Sequence, residues 1–342
     1  MTALRVLVCE DSGVYAAGLR RMLEYDGDIE VVAFAATAEE AAAALPGMEP
    51  DLLTMDLELP GMDGLRAVEE IMSSRPMPIL VLSSYVGPRS EMTSAALAAG
   101  ALDALAKDDL DLRDPAGKAG AAFRHRVRTL SRARVIRHPR ARLGIRPHAP
   151  VQGRGASVIG ICASTGGPQL LMYLLEALPA EFPIPVLIVQ HIAAGFTDGL
   201  VRWLDQSVAL PVRLATPGAM AMTGASLAPE GAHLMLAAGG RLRLDRLTDA
   251  GAHRPSGDVL LTSIADAAGS AGVAVVLSGM GRDGAIGAAD VRRRGGLAIA
   301  QDEHSSAVFG MPKAATELGV DIVLPPAQIA ACLLALRHQP LR

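Results

Sequence analysis

Gly160-Ile161-Cys162-Ala163-Ser164-Thr165-Gly166-Gly167-Pro168 runs from an apolar strand through a glycine pair into a helix. Pro168 suits a first helical turn, where a missing N–H costs nothing. Gly166 and Gly167 let backbone approach a ligand closely. Strand, glycine turn and helix in that order make the repeating unit of a parallel α/β sheet. Outward from this stretch, 157–162, 186–190, 212–215, 233–236, 273–277 and 297–300 read as strands. Helical patterns lie at 169–178, 197–208, 259–268, 285–294 and 327–336. The N-terminal third alternates in the same way. Its strands are expected at 4–9, 29–34, 52–55, 79–82 and 103–106, with helices near 38–45, 65–72 and 90–99 and one bearing Leu19, Met22 and Leu23 on a face. Two α/β units are predicted, each built on a parallel sheet.

Between them the composition changes. Arginines crowd 124–146, no Asp or Glu occurs between Asp114 and Glu176, and Pro139, Gly144, Pro147 and Pro150 interrupt any helix. The expected division is a first domain at 1–125, a basic helix end and linker at 126–153, and a second domain at 154–342. The basic stretch reads as a solvated linker, with an acidic partner or membrane surface as the alternative. At 342 residues, 50% hydrophobic and 20% charged, the chain has a globular composition with length for about two domains. It lacks any apolar run of membrane-spanning length and any signal-peptide pattern, so a cytoplasmic protein without membrane insertion is expected. Three scattered cysteines make no disulfide framework. Aromatic residues are 3%, too few for base-stacking surfaces, and no helix-turn-helix spacing is visible, so no nucleic-acid partner is expected.

Ser164, His191 and Asp283 each follow an apolar strand pattern. In a parallel sheet those strands can deliver all three to one carboxyl edge. A serine hydroxyl is a weak nucleophile that needs an adjacent base, histidine supplies one near neutral pH, and an aspartate fixes the imidazole tautomer. Other readings exist for each residue alone. The glycine turn could cradle phosphate, although no Walker lysine follows. Ser164 or Asp283 could be a helix cap, and His191 a structural residue. The order serine, histidine, aspartate differs from that of α/β-hydrolases.

Glu10-Asp11 and Asp56 end two N-terminal strands, so three carboxylates converge on one crevice. They repel one another unless a hard divalent cation such as Mg²⁺ joins them. Lys107 adds a positive charge after the fifth strand, and Ser83 or Ser84 a hydroxyl after the fourth.

At these residues the chain resembles response-regulator receiver domains. Asp56-Leu57-Glu58-Leu59-Pro60-Gly61-Met62-Asp63-Gly64 follows that family's D-x-x-x-P-x-x-D-G pattern. The resemblance implies a flavodoxin-like fold and phosphorylation of Asp56. It also implies Mg²⁺ held by Asp11, Asp56 and the Glu58 carbonyl, with Glu10 through water, and phosphoryl contacts from Ser83 and Lys107. Asp108 stands where the family usually has proline.

Ala163-Ser164-Thr165-Gly166-Gly167-Pro168, Gln190-His191 and Ser278-Gly279-Met280-Gly281-Arg282-Asp283-Gly284 resemble the catalytic domain of chemotaxis protein-glutamate methylesterases, the CheB family. His253-Arg254-Pro255-Ser256, Ala300-Gln301-Asp302 and Val308-Phe309-Gly310-Met311-Pro312 extend the match. The resemblance implies hydrolysis of glutamate methyl esters on chemoreceptor cytoplasmic helices, and deamidation of receptor glutamines, without a cofactor. Ser164 is then the nucleophile, His191 the base and Asp283 its orienter, with backbone N–H groups of Met280 and Thr165 at the oxyanion. A chemotaxis histidine kinase is the implied phosphodonor. Cys162 replaces a usual glycine, and altered packing is expected there rather than lost activity. Two rivals remain at this level, a regulator whose second half only binds and a small-molecule esterase.

Overall fold

The computed structural model describes residues 3–84, 89–135, 153–248 and 253–341. The chain divides into two compact units.

The first unit holds five strands, β1 (Leu4–Cys9), β2 (Ile29–Ala35), β3 (Leu52–Asp56), β4 (Ile79–Ser83) and β5 (Asp103–Ala106). Its helices are α1 (Gly13–Leu23), α2 (Ala38–Met48), α3 (Gly64–Ser74), α4 (Arg89–Ala99) and α5 (Lys118–Leu130). The sheet is parallel in the order β2-β1-β3-β4-β5, the flavodoxin-like arrangement. Its order reverses between β1 and β3, and the carboxyl ends of those strands carry Glu10, Asp11 and Asp56. Asp63 caps α3 by accepting from Arg66 N–H at 2.8 Å. A side chain on Gly64 would stand 2.3 Å from the Asp56 carbonyl oxygen, so only glycine lets α3 start this close to the aspartate.

The arginines of α5 are structural. Buried Arg124 pairs with Asp26 at 2.7 Å and donates to the carbonyls of Met22 and Pro115. Arg126 pairs with Asp103, and Arg128 with Asp26 and Asp28. This part of the basic run therefore serves the first unit rather than solvent. Arg137, Arg140, Arg142 and Arg146 lie outside the described residues.

The second unit carries a seven-stranded parallel sheet in the order β15-β14-β13-β7-β8-β10-β9. Its strands are β7 (Val158–Ala163), β8 (Val186–Gln190), β9 (Val212–Leu214), β10 (Ala225–Leu227), β13 (Gly272–Val276), β14 (Leu297–Gln301) and β15 (Ile322–Leu324). A hairpin of β11 (His233–Leu236) and β12 (Leu242–Asp245) and a short pair of β6 (Gly155–Ala156) with β16 (Arg337–His338) stand apart from it. Helices α6 (Gly167–Glu176), α7 (Thr197–Ser207) and α11 (Pro326–Ala335) cover one face. Helices α8 (Gly257–Ala268), α9 (Ala285–Arg293) and α10 (Met311–Glu317) cover the other.

Burial on both faces explains the unbroken apolar strands. Along β7, Ile159, Ile161 and Ala163 enter one core and Val158 and Cys162 the other. Gly160 lets α8 lie on the sheet, because a Cβ there would stand 2.5 Å from Leu261 Cδ2. The order reverses between β7 and β13, which places the ligand crevice of such a sheet at their carboxyl ends. The pairings Cys162↔Val276 and Ala163↔Gln190 keep those ends level. Five short strands and α10 were not expected from the sequence: β6, β10, β12, β15 and β16 have two to four residues each and α10 seven. So few residues do not display a period.

Candidate active site and phosphorylation site

Ser164 follows β7, His191 follows β8, and Asp283 lies in the loop after β13. Ser164 is not a helix cap, since Gly166 caps α6 in the left-handed region at φ 71°. Its peptide is tied on both sides: Ser164 N–H donates to the Ser278 carbonyl at 3.0 Å, and its carbonyl accepts from Gly167 N–H and Gln190 Nε2 at 2.8 Å each. Gln190 Nε2 also donates to the His191 carbonyl at 2.7 Å, so one buried side chain locks the backbone of serine and histidine together. Nothing in the sequence pattern Gln190-His191 signals this role.

His191 Nε2 lies 2.8 Å from Asp283 Oδ2. A carboxylate accepts, so Nε2 carries the proton and Nδ1 is the basic nitrogen. Nδ1 is buried and has no hydrogen-bond partner among the described residues. The His253 ring stacks on His191, with centroids 4.2 Å apart and planes 16° from parallel.

Asp283 does not cap its own helix, whose cap is Gly284. It sits at the N-terminus of α8 instead. Oδ1 accepts from Ser256 Oγ at 2.8 Å and Asp258 N–H at 3.0 Å, and Oδ2 from Gly257 N–H at 2.5 Å. Burial works against the charge, but the bonds from His191, Asp258 and Gly257 hold the carboxyl well below its ordinary range. A depressed carboxylate stabilises the fold above its unfolded pKa of about 3.9, and that stability fades as pH falls through the folded value. Acid titration of wild type and Asp283→Asn, followed by denaturant midpoints below about pH 4, should show the steeper loss in wild type.

In the first unit, Glu10, Asp11 and Asp56 present oxygens within 4.8 Å of one another. Lys107 Nζ stands 2.7 Å from both Glu10 Oε2 and Asp56 Oδ2. Burial raises the Glu10 carboxyl above its usual range, and Asp56 adds to that against the hydrogen bond from Lys107. Burial opposes the Lys107 charge, yet bonds to Asp56 and Glu10 hold its pKa up. Three carboxylates against one ammonium leave an excess of negative charge with oxygen donors only, which suits a hard divalent cation. Glu58 N–H donates to Asp56 Oδ1 at 3.0 Å. Ser83 is buried at the end of β4. Residues 107–109 form one 3₁₀ turn, so Asp108 is accommodated there.

A family model described as the CheB methylesterase matches residues 159–333, more than half of the chain. The chain belongs to the CheB methylesterase family. A response regulator receiver domain model matches residues 6–113. The chain is 43% identical over 337 residues to protein-glutamate methylesterase/protein-glutamine glutaminase 2 of Anaeromyxobacter dehalogenans, covering 96% of each chain. It is 40% identical over 341 residues to protein-glutamate methylesterase/protein-glutamine glutaminase 3 of Myxococcus xanthus, covering 97% of this chain and 95% of that one. The crystal structure of the Thermotoga maritima CheB methylesterase catalytic domain matches with a TM-score of 0.50 and 38% identity, covering 52% of this chain and 97% of that one.

Within this CheB family member, the loop after β13 closes on the serine. Ser278 Oγ donates to the Thr165 carbonyl at 2.8 Å and accepts from Val308 N–H at 3.0 Å. Gln301 Oε1 accepts from Ser278 N–H at 2.8 Å. Gly279 passes so near that an added Cβ would lie 2.6 Å from Ser164 Cβ. The N–H of Met280 makes no hydrogen bond to the described residues. Beside Asp283 opens a cleft of about 560 Å³ rimmed by Arg282, Ile286 and Leu318. Ile286 and Leu318 are exposed.

Cys162 is fully buried on the opposite side of β7 from Ala163, packed where a Cβ on Gly257 or Gly284 would meet it. Burial, with Asp283 and Asp258 nearby, pushes its thiol far up, so it is protonated and inert. Cys162→Ala is expected to keep kcat within about twofold while losing ~1 kcal/mol of stability, the cost of a small buried group. Methanol-release rates and denaturant midpoints check both.

Proposed function

We propose that this chain is a phosphorylation-activated protein-glutamate methylesterase that acts in the cytoplasm on chemoreceptor helices, and that it also deamidates receptor glutamines. The observation that carries the proposal is the contact of His191 Nε2 with Asp283, which leaves a buried basic Nδ1 on a residue whose backbone N–H bonds the carbonyl of Ala163, next to Ser164. Ser164 Oγ attacks the ester carbonyl as His191 Nδ1 takes its proton. Asp283 stabilises the imidazolium that forms. The Met280 N–H, with that of Thr165, receives the oxyanion, and such a donor contributes ~3 kcal/mol. Collapse breaks the acyl–oxygen bond, and His191 returns the proton to the departing methanol. Water, deprotonated by His191, then attacks the acyl-serine, yielding glutamate and free Ser164. With a glutamine substrate, ammonia leaves in place of methanol. The exposed Ile286, Leu318 and Arg282 rim supports a protein helix as substrate over a small ester.

In the receiver, an Asp56 carboxylate oxygen attacks the phosphorus of a histidine-kinase phosphodonor. Glu58 N–H orients that carboxylate, and Lys107 and Ser83 bond the phosphoryl oxygens. Asp11, Asp56, Glu10 and the Glu58 carbonyl would hold Mg²⁺, which supplies charge neutralisation for the transfer.

Methanol release from methylated chemoreceptor membranes, with and without acetyl phosphate and Mg²⁺, tests the reading beside Ser164→Ala. No release from folded, phosphorylated wild type on any methylated receptor would overturn it. Asp56→Asn is expected to keep basal release and lose all phosphodonor stimulation. Full stimulation of that variant sinks the switch.

A further inference from the structure

We propose that His233 is a positioning residue of the hydrolytic site, holding Ser256 against Asp283 and thereby setting the tautomer and angle of His191. The inference rests on the triad reading above. His233 opens β11, 1% exposed, and makes two hydrogen bonds. Its Nδ1 accepts from Ser256 N–H at 3.1 Å. Its Nε2 lies 3.1 Å from the Thr248 carbonyl oxygen. A backbone N–H can only donate and a carbonyl only accept, so the ring is neutral with its proton on Nε2.

Both ends of this link are anchored. Asp245 at the end of β12 accepts from the N–H groups of Leu247 and Thr248 and from Thr248 Oγ1, closing the turn that presents the Thr248 carbonyl. Arg254 Nη2 donates to the same carbonyl at 2.8 Å. On the other side, Ser256 Oγ donates to Asp283 Oδ1 at 2.8 Å, and Asp283 Oδ2 meets His191. An unbroken path therefore runs from the turn after β12 through His233, Ser256 and Asp283 to His191. Groups that fix a catalytic side chain from behind matter because small misplacements of the reacting atoms cost rate steeply.

Two isosteres separate the two ring nitrogens. In His233→Asn, Oδ1 takes the place of Nδ1 and keeps the bond from Ser256. In His233→Gln, the amide reaches toward Thr248 and the Ser256 bond is lost. For His233→Gln, kcat for methanol release is expected to fall between about tenfold and about a hundredfold with KM unchanged. For His233→Asn it stays within about threefold, because the Ser256 bond survives. The ¹H–¹⁵N signal of His191 Nε2–H, identified by its loss in His191→Gln, should shift in His233→Gln and in Ser256→Ala but not in His233→Asn. Adding His233→Gln to Ser256→Ala should cost little more, since coupled residues are non-additive.

Equal impairment of the Asn and Gln variants would show that the ring only fills space, and overturn the proposal. An unmoved His191 signal in Ser256→Ala overturns it even if no His233 variant folds. Wild type with that signal intact but no methanol release sinks the functional reading and leaves the relay standing.

Discussion

Ser164→Ala is expected to lower the rate of methanol release on the order of 10⁶-fold, and Asp283→Asn on the order of 10⁴-fold. On the proposed mechanism the first removes the atom that forms the acyl-enzyme. The second is instructive because every lone pair of Asp283 is engaged. Oδ2 faces His191 Nε2 and Gly257 N–H, while Oδ1 faces Ser256 Oγ and Asp258 N–H. An asparagine must turn its amide NH₂ toward one of these pairs. Toward His191 it forces the proton onto Nδ1, so the base is lost. Toward Ser256 it faces the Asp258 N–H donor to donor, and the negative charge that stabilises the imidazolium is gone in either orientation. Single-turnover methanol release with equal receptor occupancy measures both effects. Residual activity of Ser164→Ala within tenfold of wild type would mean another nucleophile.

The places of Ser164, His191 and Asp283 along the sheet were legible because each follows a strand buried on both faces, and such strands read as unbroken apolar runs. Their support was not. Asp283 looks in sequence like a cap for the helix that begins two residues later, yet its hydrogen bonds go to α8, 25 to 27 residues earlier. The arginine run misled for the same reason. Arg124 reads as solvated charge until the fold brings Asp26 beside it, 98 residues away. Sequence pattern reports a residue's neighbours along its own element, whereas polar partners across elements are set by sheet order. The receiver carboxylates are the intermediate case. A parallel order could be inferred and so could their convergence, but the simultaneous hold of Lys107 on Glu10 and Asp56 is a fact of distances.

The glycines of the loop after β13 separate geometry at the serine from general backbone strain. Gly279→Ala would place a methyl 2.6 Å from Ser164 Cβ and 2.4 Å from Met311 Sδ. The methionine can rotate at modest cost, but Ser164 is held from the other side, because its carbonyl accepts from Gly167 N–H and from Gln190 Nε2. The loop must move instead, and it carries both Met280 and Asp283. A fall in kcat on the order of 100-fold is expected, from displacement of about an ångström at the reacting groups. Overpacking should also lower stability by about 1–3 kcal/mol. Gly281→Ala supplies the contrast, since among the described residues no atom beyond its chain neighbours lies within 4 Å of its Cβ, but its φ is +83°. Left-handed backbone costs an alanine ~1–2 kcal/mol, so the two variants should melt alike. Their kcat values should not agree: Gly281→Ala is expected to stay within about tenfold of wild type, because its methyl touches nothing that positions the serine. Equal losses of kcat in the two variants would mean that loop strain alone, and not the approach to Ser164, makes glycine necessary at 279.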